Sequence, residues 1–218
     1  MADLGNSSAA AGEYDEEEEE LKEETQTAGS NIKVGLTAQD IARKCIENRE
    51  IGHEAVWSLS TAKTGNGVAQ LRDDNTDTYW QSDGTQPHLI NIQFHRKMTI
   101  KELALFIDYT LDESYTPRRM SIWAGSTYQD LVEIKGLELN EPSGWVLIPL
   151  NDPTKIDSPL PLRTFLIQVR ILSMHQNGRD NHIRQVKVFG ARSSSVHGQR
   201  HSSTSFGSIN LSHLGSIR

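Results

Sequence analysis

Ile90-Asn91-Ile92-Gln93-Phe94 alternates apolar and polar residues, and this stretch decides the fold class. Alternation with a period of two is typical of a strand that buries one face. The same period returns in three later runs, whose apolar members are Leu103, Leu105 and Ile107, then Phe165, Ile167, Val169 and Ile171, then Val186 and Val188. Several such runs without intervening helical patterns predict an all-β sandwich or barrel, whose last strand ends near Phe189 and Gly190.

One short helix is predicted ahead of the strands, over residues 37–49. Thr37 is a favourable N-cap residue, and Asp40 follows three positions later, which is close to a capping box. The apolar residues of this segment fall on one helical face, which comprises Ile41, Ala42, Cys45 and Ile46. We therefore expect Cys45 to be a small buried hydrophobe.

The charge of the chain is concentrated at its N-terminus. The formal net charge is -7, but residues 1–30 hold ten acids and one base, which leaves 19 acids and 21 bases for the rest. A nearly neutral domain has no strongly basic face, so bulk electrostatic binding to nucleic acid is not expected. The composition predicts an acidic disordered tail over 1–30, a domain over 31–190 and a flexible, serine-rich basic tail over 191–218.

The single cysteine excludes an intrachain disulfide. No apolar run approaches the ~18 residues that a membrane span requires. A soluble protein of the cytosol or nucleus is therefore expected.

Two polar segments stand out at predicted strand ends. They are Asp112–Pro117 and His175–Asp180, and both hold more hydrogen-bonding side chains than a plain connection requires. Loops on a strand scaffold commonly carry binding sites, so we predict that these two form one recognition surface. A structural alternative remains open, since Asn177-Gly178 is a favourable hairpin dipeptide and Arg179 can pair with Asp180.

Other chemistries find weaker support in the sequence. A hydrolase would need a serine and a histidine in hydrogen-bond reach, and the chain has no Gly-x-Ser-x-Gly motif. The run Asp73, Asp74, Asn75 and Asp77 resembles a calcium loop but lacks its glycine and terminal glutamate. Sugar stacking is conceivable for five aromatic residues, of which Trp57, Trp80 and Trp145 are interpreted as core; the other two are Tyr79 and Trp123.

Several segments between Ile51 and Phe189 together resemble the DOC-domain family. These segments are Ala55–Ser60, Gln70–Asn75, Thr78–Gly84, Gln86–Leu89, Asp112–Pro117, Glu141–Trp145 and His175–Asp180. The final Ile217-Arg218 is similar to the ending of the DOC subunits of the anaphase-promoting complex, a multi-subunit ubiquitin ligase.

This resemblance implies a jelly-roll β-sandwich of the galactose-binding type with no catalysis and no cofactor. It implies a co-receptor for the destruction-box degron, which acts with a WD-repeat coactivator and raises substrate residence and the processivity of ubiquitination. The implied degron-binding residues are Asp112, Ser114, Tyr115, His175, Gln176, Asn177, Gly178, Arg179 and Asp180. Ser114 and Asn177 lead this set, and Gly178 is expected to permit close approach of the ligand.

The resemblance also implies that Ile217 and Arg218 dock in a tetratricopeptide-repeat groove of a scaffold subunit. The other implied partners are destruction-box substrates and further core subunits of the ligase, with no nucleic acid and no membrane. The implied location is the nucleus and the cytoplasm. The alternative function is a carbohydrate-binding module on the same fold.

Overall fold

The computed structural model describes residues 32–154 and 160–192. Its strands are β1 (Lys33–Leu36), β2 (Arg49–Glu50), β3 (Ala55–Leu59), β4 (Trp80–Gln81), β5 (His88–Asp108), β6 (Pro117–Gly125), β7 (Val132–Glu138), β8 (Ser143–Pro149), β9 (Leu162–Met174), β10 (His182–Ile183) and β11 (Gln185–Gly190). Its helices are α1 (Ala38–Glu47), α2 (Val68–Leu71) and α3 (Tyr109–Asp112), with 3₁₀ turns at Gly52–Glu54, Glu113–Tyr115 and His175–Asn177. No helix in these two ranges is long and apolar enough to cross a bilayer.

The strands form two antiparallel layers that share β5. The first half of β5 pairs with β3 on one side and with β9 on the other, and β6 and β7 extend this layer. The second half pairs with β8 and β11, which are followed by β1 and β2. The register slips between Gln93 and Met98, where β5 bends from one layer into the other. This arrangement confirms the predicted β-sandwich.

The core lies between the layers and follows the alternation in the sequence. Ile90, Ile92 and Phe94 from the first half of β5 are buried there. The other members of the alternating runs that join the same core are Leu103, Leu105, Ile107, Ile167, Val169, Ile171, Val186 and Val188. Apolar surface removed from water stabilises the fold by about 25 cal/mol per Å², so these alternating positions are the main source of stability.

The predicted helix is confirmed as α1. The Thr37 side chain accepts a hydrogen bond from the Asp40 backbone N–H, and the Asp40 carboxylate accepts one from the Thr37 N–H, which completes the capping box. The prediction of its buried face was wrong. Cys45 is exposed and Ile46 is 69% exposed, whereas Ile41 packs on the outer face of the second layer.

The orientation of α1 has a polar cause. Asn48, which caps its C-terminus, is buried and donates to the Glu102 carboxylate over 3.1 Å, and Lys44 donates to the same carboxylate over 3.2 Å. These bonds turn the face of Ile41 and Asn48 toward the sheet, so Cys45 and Ile46 point away from it.

Candidate functional site

The two predicted recognition loops lie side by side because the strands that carry them are neighbours. β6 and β9 are antiparallel, and Pro117 at the start of β6 lies opposite Met174 at the end of β9. The segment before β6 and the segment after β9 therefore meet at one end of the sandwich. The N–H of His175 donates to the carbonyl oxygen of Thr116 over 2.9 Å, which joins their backbones.

The closest approach of the two loops is at Gly178. A Cβ built on this residue would lie 1.7 Å from the carbonyl oxygen of Ser114, so only glycine fits. The close approach that the sequence suggested for a ligand is thus made by the neighbouring loop.

Three non-glycine residues at the loop tips have positive φ angles, namely Glu113 (44°), Gln176 (51°) and Asn177 (56°). Strained backbone of this kind clusters at functional sites.

Asp112 lies beneath the loops and is only 4% exposed. Its carboxylate accepts hydrogen bonds from Arg184 Nε and Nη2, both over 2.8 Å, and from His182 Nδ1 over 2.9 Å. Burial opposes ionisation, but the hydrogen bonds from His182 and Arg184 outweigh it and hold the pKa of Asp112 below its usual value. The carboxylate of Asp112 is thus engaged by His182 and Arg184 and braces the loop from inside, while its role in degron binding stays a prediction.

A stack of three rings covers this buried ion pair. His182 is sandwiched between Tyr79 and Tyr115, with centroid separations of 4.1 Å and 4.3 Å. Tyr115 remains 39% exposed, so it forms part of the surface beside Ser114. Sequence reasoning named Tyr79 only as a candidate sugar-stacking residue and did not assign His182 and Arg184 to this site. The burial of His182, Arg184 and Gln185 is visible only in the structure, so no local signal in the sequence indicated their position.

The loop after β9 is fixed through its backbone. Gln86 Nε2 donates to the carbonyl oxygen of Gly178 over 3.0 Å, and His88 Nε2 lies 2.8 Å from that of Arg179. Gln176 Nε2 also donates to the hydroxyl of Tyr109 over 3.1 Å. Since His88 begins β5 and Tyr109 follows its end, the bend in β5 brings both of its ends to this loop.

The side chains of Ser114, Asn177 and Arg179 are in a different position. Asn177 and Arg179 are exposed and Ser114 is half-buried. Within the ranges that the structure covers, none of these three side chains hydrogen-bonds to another residue. Asp180 is half-buried beside them, and no ion pair joins it to Arg179 in the same ranges, which leaves both groups open to a ligand. The geometry therefore presents polar groups from two fixed loops on one surface.

The family of the chain follows from comparison with known proteins. The family model described as "Anaphase-promoting complex, subunit 10 (APC10)" matches residues 17–214. The chain belongs to this family. The resemblance to DOC-domain subunits is thereby confirmed, although Ile217 and Arg218 lie beyond the matched residues and outside the described ones.

Relatives within the subunit 10 family span animals and fungi. "Anaphase-promoting complex subunit 10" of Homo sapiens is 58% identical over 141 residues, which cover 65% of this chain and 74% of that protein. The Drosophila melanogaster protein of the same name is 51% identical over 140 residues, or 64% and 70% of the two chains. "Anaphase-promoting complex subunit DOC1" of Saccharomyces cerevisiae is 36% identical over 155 residues, or 71% and 60%.

The solved structures that the chain resembles confirm its fold class. The CBM32-1 and CBM32-2 domains of Clostridium perfringens ZmpB, in complex with GalNAc, superpose with a TM-score of 0.60 at 10% identity and cover 74% of this chain and 39% of theirs. The family 32 module of C. perfringens NanJ, in complex with galactose, gives 0.53 at 11% identity, with 65% and 98% covered. At this identity the likeness shows the galactose-binding-like jelly roll of the subunit 10 family and nothing of its ligand.

The geometry does not assemble a hydrolytic site from the buried histidines around these loops. His88 Nδ1, His175 Nε2 and His182 Nε2 have no hydrogen-bond partner in the described part of the chain. The other nitrogens of His88 and His182 bond to a backbone carbonyl and to Asp112, so no serine is paired with either ring. Among the same residues, no group of three His, Cys, Asp or Glu side chains is arranged to hold a metal ion.

His175, which was also predicted to bind the degron, lies inside the loop. It is buried, and its ring meets that of Tyr109 edge-on at 5.0 Å. Burial lowers the pKa of His175, and the backbone carbonyl of Leu139 opposes only part of that effect. This position assigns His175 a supporting role in the shape of the loop.

The buried His175 should make stability depend on pH. Since its pKa is lower in the folded chain, the unfolded chain takes up the proton first, and stability should fall as pH drops below about 6.5. One such group contributes a slope of at most about 1.4 kcal/mol per pH unit.

His175→Phe keeps the ring contact with Tyr109 and should flatten the pH dependence of the free energy of unfolding, as measured by urea unfolding at about pH 7 and about pH 5. His95→Phe, at an exposed strand position, is the matched control and should keep the wild-type slope. Equal slopes for His175→Phe and wild type would contradict this assignment.

Proposed function

We propose that the chain is a non-enzymatic substrate-recognition subunit of the anaphase-promoting complex, and that it acts as a co-receptor for the destruction-box degron together with a WD-repeat coactivator. The observation that supports this proposal most is that the side chains of Ser114 and Asn177, on two loops in contact with each other, hydrogen-bond to no other residue that the structure describes. Membership of the subunit 10 family supports the ligase part of the proposal.

The chemistry of the surface suits an extended peptide. The Asn177 amide offers two donors and an acceptor, and the Ser114 hydroxyl offers one donor and two lone pairs. A peptide backbone presents the complementary N–H and C=O groups at a fixed spacing. Gln176, Arg179 and Asp180 extend the same surface, while Tyr115 adds a partly exposed ring. Such a small surface binds weakly alone, because few side chains contact the ligand and each must be ordered on binding.

Weak binding is compatible with the proposed role because a second half-site lies on the coactivator. When one degron contacts two linked sites, the second contact is intramolecular and takes place at a high effective concentration. The overall affinity therefore exceeds that of either site alone. The result is a longer residence of the substrate on the ligase and more ubiquitin transferred per encounter. We propose that this takes place in the nucleus and the cytoplasm.

Two tryptophans argue against the carbohydrate-binding alternative. Trp80 is fully buried and its Nε1 donates to the carbonyl oxygen of Thr61 over 2.9 Å. The ring of Trp123 is covered by the guanidinium of Arg170, which lies 3.7 Å from the ring centroid. Trp80 therefore offers no stacking face to a sugar, and one face of the Trp123 ring is already occupied.

The function is tested by adding the chain back to ligase that lacks it. Wild type should restore multiple ubiquitination of a destruction-box substrate, and Ser114→Ala with Asn177→Ala should lower the ubiquitins added per encounter several-fold. The loss of one or two hydrogen bonds at about 1 kcal/mol each corresponds to a roughly 5- to 30-fold change in affinity.

Two controls separate recognition from assembly. Gln39→Ala with Gln129→Ala removes two exposed polar side chains, one on α1 and one in the turn between β6 and β7 at the opposite end of β6, and should rescue fully. Deleting Ile217 and Arg218, which we propose dock on a tetratricopeptide-repeat scaffold subunit, should weaken incorporation into the ligase without unfolding the domain. Equal rescue by wild type and the Ser114/Asn177 variant would place recognition elsewhere.

A further inference from the structure

The acidic segment between α2 and β4 contributes no side chain to the proposed recognition surface. It contains Asp73, Asp74, Asn75 and Asp77, the run that resembles a calcium loop in sequence. In the structure the segment is closely tied to β11, the last strand of the second layer. The tie is made by Gln185, which begins β11 and is 1% exposed.

Three oxygen atoms converge on a single nitrogen of the Gln185 side chain. Nε2 donates to Asp73 Oδ1 over 2.7 Å, to the carbonyl oxygen of Asn75 over 2.8 Å and to that of Gln70 over 3.0 Å. The Thr78 hydroxyl joins the same group, at 2.7 Å from Asp73 Oδ2 and 2.9 Å from the Asn75 carbonyl oxygen. We call these oxygens, contributed by Gln70, Asp73, Asn75 and Thr78, the oxygen cage.

The oxygen cage offers the types of oxygen atom that bind a hard cation, but its distances are those of hydrogen bonds from an amide. Carboxylate, carbonyl and hydroxyl oxygens are what Ca²⁺ prefers, at 2.3–2.6 Å. The separations around Gln185 Nε2 are ordinary N–H···O hydrogen-bond lengths. The Gln185 amide is also held in one orientation, because its Oε1 accepts from the Asp74 N–H over 3.1 Å.

We propose that the Gln185 carboxamide takes the place of a structural cation in the oxygen cage, so that the segment Gln70–Thr78 is fixed to β11 without any metal ion. A side-chain amide supplies two N–H donors with partial positive charge, and the Thr78 hydroxyl supplies a third donor. These three donors satisfy oxygens that would otherwise repel one another. The carboxylate of Asp74 pairs separately with Lys187, which removes a second negative charge from the group.

The segment that carries the oxygen cage also contacts the base of the recognition site, through the backbone of Thr76. Arg184, adjacent to Gln185, donates from Nη1 to the carbonyl oxygen of Thr76 over 2.8 Å while its other nitrogens hold Asp112. The adjacent residues Arg184 and Gln185 thus fix both the acidic segment and the loop before β6. The metal-free cage implies that the recognition surface keeps its shape whatever the calcium concentration.

The proposal is tested with calcium on the full chain. The midpoint of thermal unfolding of wild type should be the same in EDTA and in about 1 mM CaCl₂. Gln185→Glu places a carboxylate against Asp73, so in EDTA its midpoint should fall by about 2–8 °C, the shift expected for 1–2 kcal/mol in a chain of this size. Calcium should restore that midpoint, and Tb³⁺ luminescence should report binding to Gln185→Glu but not to wild type.

The matched control is Gln168→Glu. Gln168 is another buried glutamine, but its Oε1 accepts from Arg170 Nε over 2.6 Å, so a carboxylate there is paired and should show no response to calcium. Stabilisation of wild type by calcium, or equal midpoints of Gln185→Glu in calcium and EDTA, would overturn the proposal.

If Gln185→Glu does not fold, Gln185→Met keeps the volume without the donors and should unfold at a lower temperature than wild type in both buffers. An unchanged midpoint for Gln185→Met would also overturn the proposal.

Discussion

Gly178→Ala is expected to separate the two recognition loops and to abolish most of the degron-dependent ubiquitination. The added methyl group would lie 1.7 Å from the Ser114 carbonyl oxygen, and that neighbour is backbone, which has no alternative rotamer. The φ angle of Gly178 is -56°, so the conflict is purely steric and does not involve the left-handed region. Overpacking of this kind costs about 1–3 kcal/mol, and the upper end applies because the backbone must move.

Two measurements check this result. The midpoint of thermal unfolding should fall by roughly 6–12 °C, and add-back to ligase lacking the subunit should give ubiquitination close to that of ligase alone. Gly67→Ala is the matched control, because its nearest contact would be Ala62 Cβ at 3.8 Å and its φ angle is -120°. If Gly178→Ala behaved like Gly67→Ala in both measurements, the contact between the loops would not be what shapes the surface.

Asp112→Asn is expected to be the most destabilising single change in the site. It removes the negative charge but little volume, and it leaves the guanidinium of Arg184 buried without its partner. Breaking a buried pair from one side costs about 3–5 kcal/mol. Glu138→Gln is the matched control: Glu138 pairs with Arg118 over 3.0 Å on the surface, where both side chains are about half exposed, and a loss of 0–1 kcal/mol is expected.

The pH dependence of this difference identifies its cause. The folded-state pKa of Asp112 is lowered, so its contribution to stability is complete above the unfolded pKa of about 3.9 and is lost as pH falls through the folded value. Urea unfolding should therefore give a constant gap between wild type and Asp112→Asn from about pH 7 to about pH 5, and a narrowing gap below about pH 4. A gap that stayed constant at the lowest pH would mean that Asp112 acts through its shape and not its charge.

Much of the fold could be predicted because burial in a strand has a period of two. Ile90, Ile92 and Phe94 face the core as predicted, since a slip by one residue would expose all three. The start of α1 was predictable for a local reason, because the Thr37 capping box involves residues only three apart. The buried face of α1 was not predictable, because the orientation of the helix is decided by the hydrogen bonds of Asn48 with Lys101 and Glu102. These partners lie 53 and 54 positions further along the chain.

In the proposed recognition site, too, features set by local sequence could be predicted and features set by distant contacts could not. Ser114 and Asn177 could be predicted as polar loop residues, because polarity and turn chemistry are local properties. The inward position of Asp112 could not, because its partners His182 and Arg184 follow 70 and 72 residues later. A single sequence contains no signal that would pair one aspartate among many with one arginine at such a distance.

The place of β11 in the sandwich has a consequence for biosynthesis. This strand is the last that the structure describes, yet it lies between β2 and β5, two of the strands made before it. On the ribosome, β5 must wait with one edge unpaired until residues 185–190 emerge, and contacts that span so much of the chain form slowly. The same late segment delivers Arg184 to Asp112, so a nascent chain cannot display its recognition surface early. Formation of the proposed recognition surface is thereby coupled to near-complete translation of the domain.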